Sequence, residues 1–346
     1  MNSRAAWPWD LTRTPGGSSG GAAAAIATGM SALEVGSDIG SSIRNPAHYC
    51  GVYGLKPTWN LVSMQGHLPV GWFGDIDIGV GGPLARSASD LALAFDVLVG
   101  PSRFEASCWQ PAIQRDERMR LAQFKVAIKL DDAASPVDAA YREVLEGFAH
   151  QLEQAGTTVV RDRLPSIDSE AYFTLYLKLL GAALSFGATD EEVAALRAAV
   201  AQAPPIAQRV AGIRFCGMDL SHREWLGLDN ERRIARRIFD AFFDDCDLIL
   251  TPVCAGPAFP KNEQGMRFTR YIDINGAPQL EMLQLFWSGY SGVIGLPSVV
   301  GPIGMVGHLP VGYQAIAGHG RDQTALAFAQ CVEREIRGFL PPPLVR

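Results

Sequence analysis

Apolar residues along this chain change their period several times, and each change marks an element. From Ala22 to Met30 nearly every side chain is small (Ala-Ala-Ala-Ala-Ile-Ala-Thr-Gly-Met), which predicts a helix that packs very closely against its neighbours. Helical spacing returns between Ser87 and Gly100, opened by a serine start signal with Asp90 three residues on and closed by Gly100-Pro101. Further helical patterns run over 137–155, 222–244 and 322–337. Strand-like runs are Phe124 to Leu130, Thr157 to Leu164, Asp247 to Thr251 ahead of Pro252, Ser298 to Gly301, and Val311 to Ala317. Helices and strands alternate throughout, so the pattern predicts an α/β sandwich. A poorly patterned stretch, Ser102 to Gln123, reads as the seam between two halves.

Ala171 to Ala188 is the single candidate for a membrane span, but it carries Lys178 at its centre and is short, so it reads as a buried helix or pocket wall. The first residues, Met-Asn-Ser-Arg-Ala-Ala-Trp-Pro, contain no apolar leader core, which points to a cytoplasmic protein with no membrane partner.

Composition narrows the function classes. The chain has 346 residues, 48% of them hydrophobic, enough for a large core without stapling. Six cysteines show no CxxC pair and no metal-ligand spacing, so no metal or organic cofactor is expected. A net charge of −6 gives no basic face for a phosphate backbone, and nucleic acid is not expected as a partner.

The remaining chemistry lies in two Gly/Ser loops. Neither contains GxGxxG or a P-loop, which argues against a nucleotide site. The segment Gly36-Ser-Asp-Ile-Gly-Ser-Ser42-Ile-Arg44 can instead supply a nucleophile and converging backbone N–H groups from one turn.

Three motifs in one order, Arg13-Thr-Pro-Gly-Gly-Ser-Ser-Gly-Gly21, Gly36 to Ala47 and Cys50-Gly-Val-Tyr-Gly-Leu-Lys-Pro-Thr58, resemble the amidase signature family. Later matches are Gly82-Pro-Leu-Ala-Arg86 with Asp90, Asp247 to Pro252, Gly295-Leu-Pro-Ser with Pro302-Ile-Gly304, and Leu309 to Gln314. The resemblance implies an α/β/α sandwich around a twisted mixed sheet. It further implies one amidase domain over 1–346, with a signature core at 1–101, a variable pocket region at 124–246 and a return to the core sheet at 247–346. By the same resemblance Ser42 is the nucleophile that forms an acyl-serine, and Ser18, preceded by a cis peptide bond, is the proton relay. Backbone N–H groups of Ile39, Gly40, Ser41 and Ser42 form the oxyanion hole, and Ser19, Asp38 and Arg44 support the site. Ser41 stands where the family more often has glycine, so a left-handed backbone there would be strained. The implied reaction is hydrolysis of a small linear carboxamide without a cofactor. The substrate is expected against Tyr172, Phe173, Tyr176 and Phe186, and the assembly is left open to a homodimer.

The resemblance also implies a lysine base well before the first loop, and this chain has no lysine before Lys56, which falls in a structural motif. Without a base, Ser42 is a weak nucleophile, and loss of such a group costs several powers of ten in rate. His48 and His67 are the nearest substitutes. The expectation is therefore an amidase shortened at its front and impaired as given, marginally stable, with exposed apolar surface and an unpaired sheet edge. The alternative is a non-catalytic remnant, or a subunit similar to the glutaminase subunit of the tRNA-dependent amidotransferase. The stretch Gly66 to Gly74 looks more like stand-alone amidases.

Overall fold

The computed structural model describes residues 8–68, 71–72, 74–262 and 264–343. Residues 1–7, read above for a leader, and Pro69, Val70 and Phe73 of the Gly66–Gly74 stretch lie outside the described residues. The chain opens with α1 (Gly20–Ala27), β1 (Leu33–Asp38), α2 (Arg44–Cys50), β2 (Tyr53–Lys56), β3 (Val80–Ala85) and α3 (Ala88–Leu98). After the 102–123 stretch come β4 (Lys125–Ile128), α4 (Ala139–Gln154) and β5 (Thr158–Val160). Four helices follow: α5 (Ser169–Ala183), α6 (Asp190–Ala201), α7 (Pro205–Cys216) and α8 (His222–Phe243). The last part holds β6 (Leu248–Thr251), the hairpin β7 (Tyr271–Ile274) and β8 (Ala277–Leu280), α9 (Leu285–Gly292), β9 (Ser298–Val306), β10 (Leu309–Ala317) and α10 (Asp322–Glu335).

Eight strands form one mixed sheet in the order β1-β3-β2-β9-β10-β6-β4-β5. The β4 pairings to β5 and β6 are parallel, and the others are antiparallel. Strands from both sides of the 102–123 stretch share this sheet, and β9–β10 lies between them. The stretch is thus a connection laid over one continuous core.

Alternation along the central strands assigns side chains to opposite faces. Val299 joins the cluster that contains Phe95 of α3, Phe148 of α4 and Phe328 of α10, whereas its neighbour Val300 joins the cluster of Ile26 in α1 and Ala47 in α2. Helices therefore cover both faces, and each large apolar side chain fully buried between layers contributes roughly 1.5–3 kcal/mol. The predicted helices and strands form close to their expected limits. Ser87 caps α3 by accepting a hydrogen bond from the Asp90 N–H, and Ala171–Ala188 lies mostly in the buried helix α5.

Sequence periodicity missed two things. Leu33–Asp38, which runs into the Gly-rich stretch from Gly36, is the edge strand β1, and the alternating residues around Asn275-Gly276 form the β7–β8 hairpin. The hairpin carried a legible signal, because Asn-Gly between alternating runs favours left-handed turn residues, and both take positive φ here.

Candidate active site

The first Gly/Ser loop leads into α1. Gly16 has φ +80°, and a Cβ there would come within 2.4 Å of Asn45 Oδ1, so this turn requires glycine. The peptide bond between Gly17 and Ser18 is cis, as the resemblance implies. Ser18 is exposed and Ser19, half-buried, occupies the position before α1.

The second loop joins the end of β1 to α2. It meets the first through the Ser19 N–H, which donates to the Ser42 carbonyl at 3.0 Å. Gly36 is the contact point on β1: a Cβ there would lie 2.5 Å from Ser19 Oγ. Ser42 itself is 6% exposed, so this link sits just beneath the surface.

Asp38 shapes the second loop. Its carboxylate accepts from the N–H groups of Ser41 (2.9 Å), Ile43 (3.1 Å) and Arg44 (3.2 Å) and from the Arg44 guanidinium. Burial opposes its charge, but Arg44 and, more weakly, Lys56 overcome that, and the pKa lies below the usual carboxylate value. Arg44 Nη1 donates onward to the Ser288 carbonyl, Ser291 Oγ and Gln314 Oε1. The loop is thereby anchored to α9 and to the centre of the sheet. From the opposite side the Tyr176 hydroxyl donates to the Ile39 carbonyl at 2.9 Å.

These bonds correct one expectation. The Ser41 N–H, expected as an oxyanion donor, is donated to Asp38, because the left-handed turn at Ser41 (φ +76°) folds that amide back onto the carboxylate. The same turn carries the anticipated strain, and the Ser41 hydroxyl is buried with no hydrogen-bond partner among the described residues.

His48 is a structural group. Its Nδ1 accepts from the Gly312 N–H at 2.8 Å, and Nε2 lies 3.2 Å from the Gly256 carbonyl, a pairing that needs the proton on Nε2. Burial lowers its pKa to about 4, against the pull of the two backbone bonds. His67 is exposed. Lys56 is buried with Nζ donating to the Pro57 carbonyl. Burial and the nearby Arg44 push its pKa down to about 7, against the pull of Asp38 and Asp322.

A cleft of about 420 Å³ opens where the loops meet, lined by Gly16, Gly17, Gly40 and Ser41 and, on its far wall, by Lys261, Arg267, Arg270, Glu281 and Gln284. The substrate wall was expected in the middle segment, but the aromatics there do other things. Tyr172 bonds the Tyr290 carbonyl, Phe173 packs on Phe286, Phe186 contacts Trp72, and Tyr176 braces the Ile39 loop. Bulky apolar side chains on α5 are drawn into the core, which leaves the wall to the polar residues after β6. No local pattern in the sequence marked those residues as one surface. Among the described residues no cluster of His, Cys, Asp or Glu could hold a metal ion. No helix among them is long and apolar enough to cross a membrane.

Known proteins are similar to this chain in sequence and in fold. The amidase family model matches residues 3–326. A glutamyl-tRNA(Gln) amidotransferase subunit from Thermus thermophilus is 32% identical over 97% of this chain and 72% of its own length. The crystal structure of the corresponding amidotransferase subunit from Thermotoga maritima superposes with a TM-score of 0.76 at 25% identity, covering 97% of this chain and 71% of that one. A bacterial aryl acylamidase shares the fold, with a TM-score of 0.71 at 23% identity over 95% of this chain and 67% of its own. Together with the two Gly/Ser loops and the large mixed sheet, these matches establish that the chain belongs to the amidase family, the amidase signature enzymes.

Proposed function

We propose that this protein hydrolyses a linear carboxamide to a carboxylate and ammonia or an amine through an acyl-Ser42 intermediate. Ser42 Oγ attacks the carbonyl carbon while its proton passes to Ser18 Oγ, which hands its own proton on to an acceptor, water where no other base is present. The oxyanion is met by the backbone N–H groups of Ile39, Gly40 and Ser42, with Ser41 reserved for Asp38. Collapse of the tetrahedral intermediate expels the nitrogen, which takes the proton back from Ser18, and water then releases the acid.

The observation that carries this reading is the Ser19 N–H to Ser42 carbonyl bond, which holds together the two loops whose residues Gly16, Gly17, Gly40 and Ser41 line the cleft. Ser18 is exposed, so its hydroxyl can be reached by a proton acceptor from outside the two loops. Treatment of the chain with a fluorophosphonate probe, followed by peptide mapping, tests the assignment. Labelling at Ser42 that is lost in Ser18→Ala supports it. A folded chain that stays unlabelled at Ser42 overturns it.

A second reading, a component of an amidotransferase complex, is favoured by the 32% identity to the Thermus thermophilus protein. Purification from the native host separates the two: a component of a complex brings stoichiometric partner chains, and a stand-alone amidase does not.

A further inference from the structure

Charge on the cleft runs against charge on the chain. The protein carries 36 acidic and 30 basic side chains, yet among the described residues lining the cleft there are three cations, Lys261, Arg267 and Arg270, and one carboxylate, Glu281. Arg267 Nε lies 2.8 Å from Glu281 Oε1, and Glu281 is 7% exposed, so one positive charge is matched within the wall. Two remain. Arg270 is held by the carbonyls of Gln264 and Gly265, which orient the guanidinium without neutralising it. Lys261 is set by its own backbone, whose N–H donates to the Thr12 carbonyl at 2.9 Å, beside the bridge between Arg13 and Pro260. That bridge ties the cationic wall directly to the loop that carries Ser18.

Cations lining a concave site focus the field and reward a ligand of opposite sign. A neutral or cationic amide supplies no counter-charge to either. We propose that the cleft selects amides bearing a carboxylate, such as the monoamides of dicarboxylic acids, with Lys261 and Arg270 as the groups that receive the carboxylate. This deepens the acyl-transfer reading and rests on it for the identity of the reacting bond. The two cations do not touch that bond; they are specificity determinants.

Calorimetric binding of succinamate and of its uncharged near-isostere succinamide to the Ser42→Ala chain, at low and at high salt, tests the proposal. Succinamate is expected to bind roughly tenfold or more tightly than succinamide at low salt, the scale of a charge-assisted hydrogen bond. The preference should shrink with added salt and fall in Lys261→Met and in Arg270→Gln. Equal binding of the two probes, binding of neither, or a preference untouched by both substitutions overturns it. The salt series decides the matter even where a variant fails to fold. Fluorophosphonate labelling of Ser42 in the native chain reports separately on the acyl-transfer reading, so either can fail alone.

Discussion

Asp38 and Arg44 face each other with both side chains wholly excluded from solvent, Arg44 Nη2 at 2.8 Å from Oδ1 and Nε at 3.0 Å from Oδ2. A pair this deeply buried survives because every group around it is hydrogen-bonded: three backbone amides on the carboxylate, and a carbonyl, a hydroxyl and an amide oxygen on the guanidinium. It joins the end of β1 to α9 and β10, and thus sets where Ser42 stands relative to the sheet.

Asp38→Asn leaves the guanidinium buried without its counter-charge. Urea unfolding should show a loss of about 3–5 kcal/mol, the usual cost of breaking such a pair from one side. A loss under 1 kcal/mol would show that the pair does not organise the loop.

Ser41→Gly should stabilise the chain. The substitution removes a side chain from φ +76° and a buried hydroxyl that lacks a partner. Relief of about 1–2 kcal/mol from the backbone and a similar amount from the hydroxyl outweighs the roughly 0.5–1 kcal/mol of added chain entropy. A melting temperature raised by several degrees is the expected result.

His48 makes stability pH-dependent in a defined window. Its pKa falls from 6.5 in the unfolded chain to about 4 in the fold, so the unfolded state binds more protons between those values. The contribution is fully present above pH 6.5 and is lost as pH falls towards 4, a change of about 3 kcal/mol. The difference between the native chain and His48→Gln in urea titrations over that range isolates this residue from the carboxylates. Parallel curves would contradict the assignment.

In residues 1–346, whose first lysine is Lys56, small amines should serve as the base for Ser18. Propylamine is expected to raise hydrolysis of an aryl amide on the order of tenfold, a fraction of the 10²–10⁴ that a positioned base supplies. The dependence should follow the unprotonated amine and vanish in Ser18→Ala. No response to amine in a chain whose Ser42 reacts with fluorophosphonate would mean that Ser18 is not the relay.

At the sheet edge β1 leaves Leu33 and Val35 40% and 48% exposed. Val35→Lys should lower light scattering at high concentration with a stability change within about 0.5 kcal/mol. Unchanged scattering would locate self-association elsewhere.

What could be read from the chain and what could not divides by range. Local signals sufficed for elements whose apolar residues repeat at one period, such as α3, α4, α8 and β10, and for the Gly/Ser loops, where the family resemblance singled out Ser18 and Ser42. They failed at β1, because a strand whose edge is open needs few apolar residues. They also failed for α5, where the same aromatic side chains fit a pocket wall and a core equally well.

By itself the sequence determined the family, the α/β class and the residues of the two loops, because these depend on neighbours within a few dozen positions. Tertiary structure alone decided that the Ser41 N–H turns to Asp38 rather than to an oxyanion, that His48 is spent on Gly256 and Gly312, and that residues 254–285 rather than 165–216 line the cleft. Each of those outcomes is settled by which distant backbone groups and charges the sheet brings within hydrogen-bonding distance, and no local pattern encodes that.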